Sequence, residues 1–110
     1  MTIGNVSGTN ESSTMQKFDR CINRSVSLMP NTSTQILAAN DSRAYAAIIN
    51  NSSGMITISL GDTPAALKQG ILLIAKGSSF EISQSNLFTG KIFAIAGNAA
   101  ELSFVECTAS

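Results

Sequence analysis

Apolar residues along this chain recur in short runs separated by polar clusters. RAYAAIIN, residues 43–50, sets Tyr45, Ala47 and Ile49 on one face and Ala44, Ala46 and Ile48 on the other. Both faces can be buried, which predicts a central strand. MITISL, residues 55–60, alternates Met55, Thr57 and Ser59 against Ile56, Ile58 and Leu60. NSSG, residues 51–54, joins the two with residues that tolerate positive φ or bond their own backbone. The pattern predicts an antiparallel hairpin over 43–60 with a structural polar tip.

The same reading extends to the rest of the chain. FDRCINRSVSL, residues 18–28, alternates loosely, with Phe18, Ile22, Val26 and Leu28 as core candidates. Met29-Pro30-Asn31 ends that strand, because Pro30 has no N–H to give a ladder. STQILA, residues 33–38, is a short strand, and ANDS, residues 39–42, is a turn. GDTPAALKQG, residues 61–70, is a longer connection in which ALKQ has room for one helical turn before Gly70 stops it. ILLIA, residues 71–75, is a continuous apolar run of strand length, expected in the core. KGSS is a turn, and FEIS, residues 80–83, points Phe80 and Ile82 inward. QSNLFTG is a loop. KIFAIA, residues 91–96, is a strand, GNAA a tight turn and ELSFVEC, residues 101–107, the closing strand.

Six to eight short strands with turn signals every 8 to 12 residues predict an all-β chain. The expected fold is one antiparallel domain over residues 18–110, a β-sandwich or jelly roll, with a small barrel as the alternative. Residues 1–17, MTIGNVSGTNESSTMQK, are polar and aperiodic and read as an extended N-terminal arm. Ile3, Val6 and Met15 are its apolar pegs, suited to pairing with the sheet edge of a neighbouring subunit.

Composition narrows the function classes. The 110 residues suit one domain. Charged residues make up 13% of the chain, against about 25% in a typical soluble protein. Such a surface is weakly protected against association, so a homo-oligomer or assembly component is expected. Seven basic residues balance seven acidic ones, without the basic patch of a nucleic-acid binder. Tyr45 is the sole Tyr and Trp is missing, which weakens base- or sugar-stacking readings. No run of about 18 apolar residues predicts a helical membrane span. MTIGNVSG lacks the layout of a secretory signal, so synthesis in a cytoplasm is the expectation.

Cys21 and Cys107 are the two cysteines. Their spacing fits neither a CxxC motif nor a zinc knuckle. With cytoplasmic synthesis both are expected reduced. The alternative is one bond joining the first and last strands, if those strands are neighbours.

Candidate chemistry is sparse. The chain has no His, which removes the commonest general base and most zinc and iron sites. The acids are scattered singly. Asp41 and Asp62, near the ends of the expected hairpin, are the pair with any prospect of a two-carboxylate site, and ordinary turn aspartates explain them better. Asn23-Arg24-Ser25 and Asn51-Ser52-Ser53 match an acceptor triplet that a Ser- and Asn-rich chain makes by chance. No enzyme activity, metal, cofactor or small-molecule substrate is expected. Leu87 and Phe88 sit in a polar loop; Phe88 reads either as an exposed anchor for a partner or as a ring folded back on the sandwich edge.

The segment TQILAANDSRAYAAIINNSSGMITISLGD resembles one found in small virion proteins of tailed bacteriophages. Downstream, Gly70-Ile71, Leu73, Gly77, Ser79 and Glu81-Ile82 are similar to a second segment of those proteins. Thr89-Gly90, Ile92 and Ala94 to Gly97 are similar to their closing strand pair. The likeness spans about residues 33–107. It implies a virion structural protein without catalytic residues. The expected role is a capsid decoration (cement) protein, trimeric, bound to the major capsid protein on the outside of the head. A tail, baseplate or head–tail accessory protein is the alternative, with a receptor- or glycan-binding module third.

Overall fold

The computed structural model describes residues 17–109. The described residues form eight strands: β1 Arg20–Leu28, β2 Thr34–Leu37, β3 Arg43–Asn50, β4 Ile56–Leu60, β5 Ile71–Leu73, β6 Ser79–Ile82, β7 Ile92–Ala96 and β8 Ala100–Thr108. A 3₁₀ turn, Gln84–Asn86, sits between β6 and β7. Two antiparallel sheets result, ordered β1-β8-β3-β6 and β2-β7-β4-β5. Apart from β4 and β5, consecutive strands lie in opposite sheets. That wrapping order is the eight-stranded jelly roll. The all-β sandwich expected from the turn spacing is therefore the fold.

The core lies between the sheets and is built from small and β-branched side chains. Ala46 and Ile48 of β3, Leu102 and Phe104 of β8 and Ile82 of β6 meet Ile56 and Ile58 of β4, Ile92, Ala94 and Ala96 of β7 and Leu73 of β5. Alternation along each strand puts these residues on one face, as the pleat requires.

The expected β3–β4 hairpin does not form. β3 pairs with β8 and β6, whereas β4 pairs with β7 and β5. The reason is Asn50, which is fully buried at the end of β3. Its Nδ2 donates to the carbonyls of Gly54 and Leu73 at 2.8 and 2.9 Å, and its Oδ1 accepts from the Ser52 amide at 2.7 Å. Its backbone N–H donates to Ser78 O and its carbonyl accepts from Gly77 N. One residue thus ties the 51–54 link and the end of β5, through its side chain, and the 75–78 turn, through its backbone, into a corner. The chain leaves one sheet there and enters the other.

The 61–70 connection makes no helical turn. Gln69 N donates to Ala66 O at 3.1 Å, closing a tight turn in which Lys68 has φ +65°. Lys68 N donates to Thr57 Oγ1, so the connection docks on buried Thr57 of β4. Gly70 is required here. Its φ is +153°, and a Cβ would stand 2.3 Å from the Ile58 carbonyl oxygen.

Two further expectations fail at sheet edges. Phe18 and Ile22 are 42% and 48% exposed, leaving Leu28 as the one buried residue of β1 and Val26 half-buried. In ILLIA only Leu73 is buried, while Leu72 and Ile74 face solvent. β1 and β5 are edge strands, and edges are covered by less protein than an apolar pattern alone suggests.

Cys21 and Cys107 are bonded to each other, not reduced. β1 and β8 are neighbours, and the register sets Cys21 directly opposite Cys107. The two Cβ atoms therefore leave the sheet on the same side. The bond closes a loop of 86 residues in sequence separation. By the chain-entropy account, closing a loop that long stabilises the fold by about 4–5 kcal/mol.

Candidate functional site

Two regions carry most of the non-core chemistry. The first closes one end of the sandwich. Asn40 makes an Asx turn: Ser42 N donates to its Oδ1 at 3.0 Å, and Arg43 N donates to its carbonyl at 3.0 Å. The turn delivers Arg43 into the interior, where its side chain is completely buried. Nε donates to Glu106 Oε2 at 2.8 Å. Nη1 donates to the carbonyls of Phe88 and Gly90 at 2.8 and 3.1 Å, and Nη2 donates to Ala38 O at 2.7 Å. Asn40 Nδ2 adds a bond to the same Glu106 oxygen at 3.4 Å. The cation has a carboxylate and three carbonyls in reach, as a buried guanidinium needs. This is a structural lock: its donors are spent on the protein's own backbone.

The second region is the outer face of the β1-β8-β3-β6 sheet with its β1 edge. The register places Cys21 and Asn23 of β1, Val105 and Cys107 of β8 and Tyr45 and Ala47 of β3 on that face. Phe18, just ahead of β1, stacks on Tyr45 with ring centroids 5.5 Å apart and planes inclined by 17°. Tyr45 Oη donates to Glu81 Oε2 of β6 at 2.5 Å. That hydrogen bond, with burial and the carboxylate charge adding to it, raises the phenol above its ordinary value near 10. The face mixes small apolar, hydroxyl and more polar side chains, Asn23 and Glu81 among them, and is bordered by an edge strand whose residues Arg20 to Ser25 are all exposed.

The candidate partner-binding residues fall into two groups. Ile3, Val6 and Met15 lie outside the described residues, as does all of the arm but Lys17. Leu87 is 40% exposed. Phe88 packs against the core, its ring so close over Gly90 that a Cβ there would stand 2.6 Å from the ring edge. Its carbonyl serves Arg43. The ring is thus folded back on the sandwich, and Leu87 is the exposed member of the pair.

Asp41 and Asp62 flank strands that lie in opposite sheets. Among the described residues there is no group of three or more His, Cys, Asp or Glu placed to hold a metal ion. No helix there is long and apolar enough to cross a membrane.

Sequence reasoning missed both the Arg43 lock and the Phe18–Tyr45–Glu81 belt. The alternation does put Tyr45 on one face of β3. Only the β3–β6 register, which pairs Ala47 with Glu81, brings the carboxylate to it.

No protein-family model matches this chain. No curated protein matches it either. Among solved structures it is similar, at 17% identity over 100% of both chains and a TM-score of 0.42, to a Bacillus protein from work describing endospore appendages as a novel family of disulfide-linked pili.

Proposed function

We propose that this chain is a structural, non-catalytic assembly protein of a tailed-bacteriophage particle, and that it decorates the capsid as a cement protein. The observation that carries the reading is the β1 border of the jelly roll. A nine-residue edge strand, exposed from Arg20 to Ser25, stands beside an outer face of mixed small apolar, hydroxyl and polar side chains. An exposed edge offers a row of free backbone groups for another chain's strand. The low charge content found in the sequence suits close association. The Cys21–Cys107 bond supports a working life in an oxidising setting, which includes particle surfaces. The likeness of residues 33–107 to virion proteins supports the particle class.

In this reading the protein acts by mass action. Binding the assembled lattice and not its free subunits stabilises the lattice in proportion to occupancy. A trimer multiplies the effect, since the second and third contacts form at high effective concentration. The partner is the major capsid protein.

The test uses the full-length oxidised protein and heads of the phage that encodes it, lacking this chain. The expected result is saturable co-sedimentation with the heads and a rise in the temperature at which they release DNA. Protein that stays in the supernatant, or that sediments only with isolated tails, overturns the capsid assignment.

A further inference from the structure

β1 is attached to the domain very unevenly along its length. At its C-terminal end Leu28 is buried and Val26 half-buried against the core. From Arg20 to Ser25 every residue is exposed. Over that stretch the strand is held by its ladder to β8, by the Cys21–Cys107 bond and by Phe18 lying on Tyr45. The bond sits one residue from the free end of β1, opposite in position to Leu28.

The two sulfurs are not equivalent. Cys21 lies exposed on the edge strand. Cys107 is 2% exposed, with Cys21 on one side and its other register partner, Tyr45, on the opposite side. Thiol–disulfide exchange requires a thiolate to approach one sulfur in line and expel the other. Of the two residues, exposed Cys21 offers the more open approach from solvent.

We infer that the Cys21–Cys107 bond is a reducible clasp on the edge strand, opened by a low-molecular-weight thiol that attacks Cys21. The incoming thiolate forms a mixed disulfide with Cys21 Sγ and breaks the bond to Cys107 Sγ. Cys107 departs as a thiolate and takes up a proton. A second thiol resolves the mixed disulfide, leaving Cys21 as a thiol and the reductant as its own disulfide. Two electrons pass to the protein. The stretch from Lys17 to Ser25 then loses its one covalent hold, and Phe18 leaves Tyr45. The edge of β8 from Ser103 to Thr108 is left with unpaired N–H and C=O groups, open to another strand. The rest of the core, carried by the other seven strands, stays folded.

The test compares the full-length oxidised chain, the same chain reduced with dithiothreitol, and the C21S/C107S double variant by residue-resolved amide hydrogen exchange. Reduction should speed exchange over residues 20–25 at least ten-fold, to nearly unprotected rates, whereas Ile48 and Ile58 lose only the protection that the bond's loop closure supplied and stay protected. The double variant should reproduce that pattern without reductant. Separately, brief exposure of the oxidised chain to glutathione, an acid quench and peptide mapping should place the adduct on Cys21. Unchanged exchange over 20–25 would show that the ladder alone holds β1. Loss of protection across the whole chain would make the bond a staple of the entire fold. An adduct on Cys107 would reverse the proposed chemistry. Any of these three outcomes overturns the inference.

Discussion

β1 and β3 flank β8 on its two sides, β1 in an unbroken antiparallel ladder and β3 in one with a register shift between Arg43 and Tyr45. Their side chains have opposite fates. β3 buries five of its eight residues, including Arg43 and Asn50 at its two ends; β1 buries one of nine. A regular ladder therefore does not imply a place in the core. Backbone pairing uses both sides of central β3 and only one side of edge β1, whose outward N–H and C=O groups stay open. What separates the strands is their place in the sheet order, β3 inside it and β1 at its edge. β3 carries the stability of the jelly roll, and β1 carries the surface on which the proposed docking rests.

Matched substitutions in the two strands should break or sharpen this contrast. Arg43→Met leaves half-buried Glu106 without its cation and strips a donor from three carbonyls. Urea unfolding should report a loss of about 3–5 kcal/mol. Arg24→Met on exposed β1 should stay within about 0.5 kcal/mol of the parent. Equal losses from the two would erase the distinction. Asn50→Ala comes next, at about 2–3 kcal/mol, because the Ser52 amide and the Gly54 and Leu73 carbonyls lose their partner. Asn23→Ala on β1 should again fall within about 0.5 kcal/mol.

A smaller effect reads the outer face that the strands share. Folding raises the Tyr45 phenol by its bond to Glu81. The sign follows from which form the fold prefers, here the protonated one. This contribution is fully present below pH of about 10 and is lost as pH rises through the folded value. Tyr45 is the only Tyr, so absorbance at alkaline pH follows it alone. Glu81→Gln should lower its midpoint towards the ordinary value, with little change in stability at neutral pH. An unchanged midpoint would remove Glu81 as the cause.

How much of this was legible in the sequence differs strand by strand. The bounds of β3, 43–50, follow from its alternation, and its central position follows from the apolar character of both faces. The neighbour of β3 does not, because alternation assigns a face and not a partner. NSSG satisfies a hairpin turn and a sheet-to-sheet corner equally well, and the burial of Asn50 decides between them. Arg43 heads an apolar run with no local sign of its fate; Glu106 and Phe88, which hold it, are 63 and 45 residues away. On β1 the apolar spacing is real, yet Ile22 is exposed because edge position is a property of the whole sheet order. The cysteine bond was hidden for the same reason: it depends on β1 and β8 being neighbours in register.

The central claim is that the β1 border docks on an assembled lattice while β3 holds the domain together. A cryo-EM reconstruction of the intact particle at side-chain resolution tests it most directly. The account predicts the eight-stranded domain on the outside of the head, in symmetry-related copies, with the Arg20–Ser25 edge or the Tyr45 face against the major capsid protein. A reconstruction in which that edge and that face are both open to solvent, with the domain held by its opposite sheet, would contradict it.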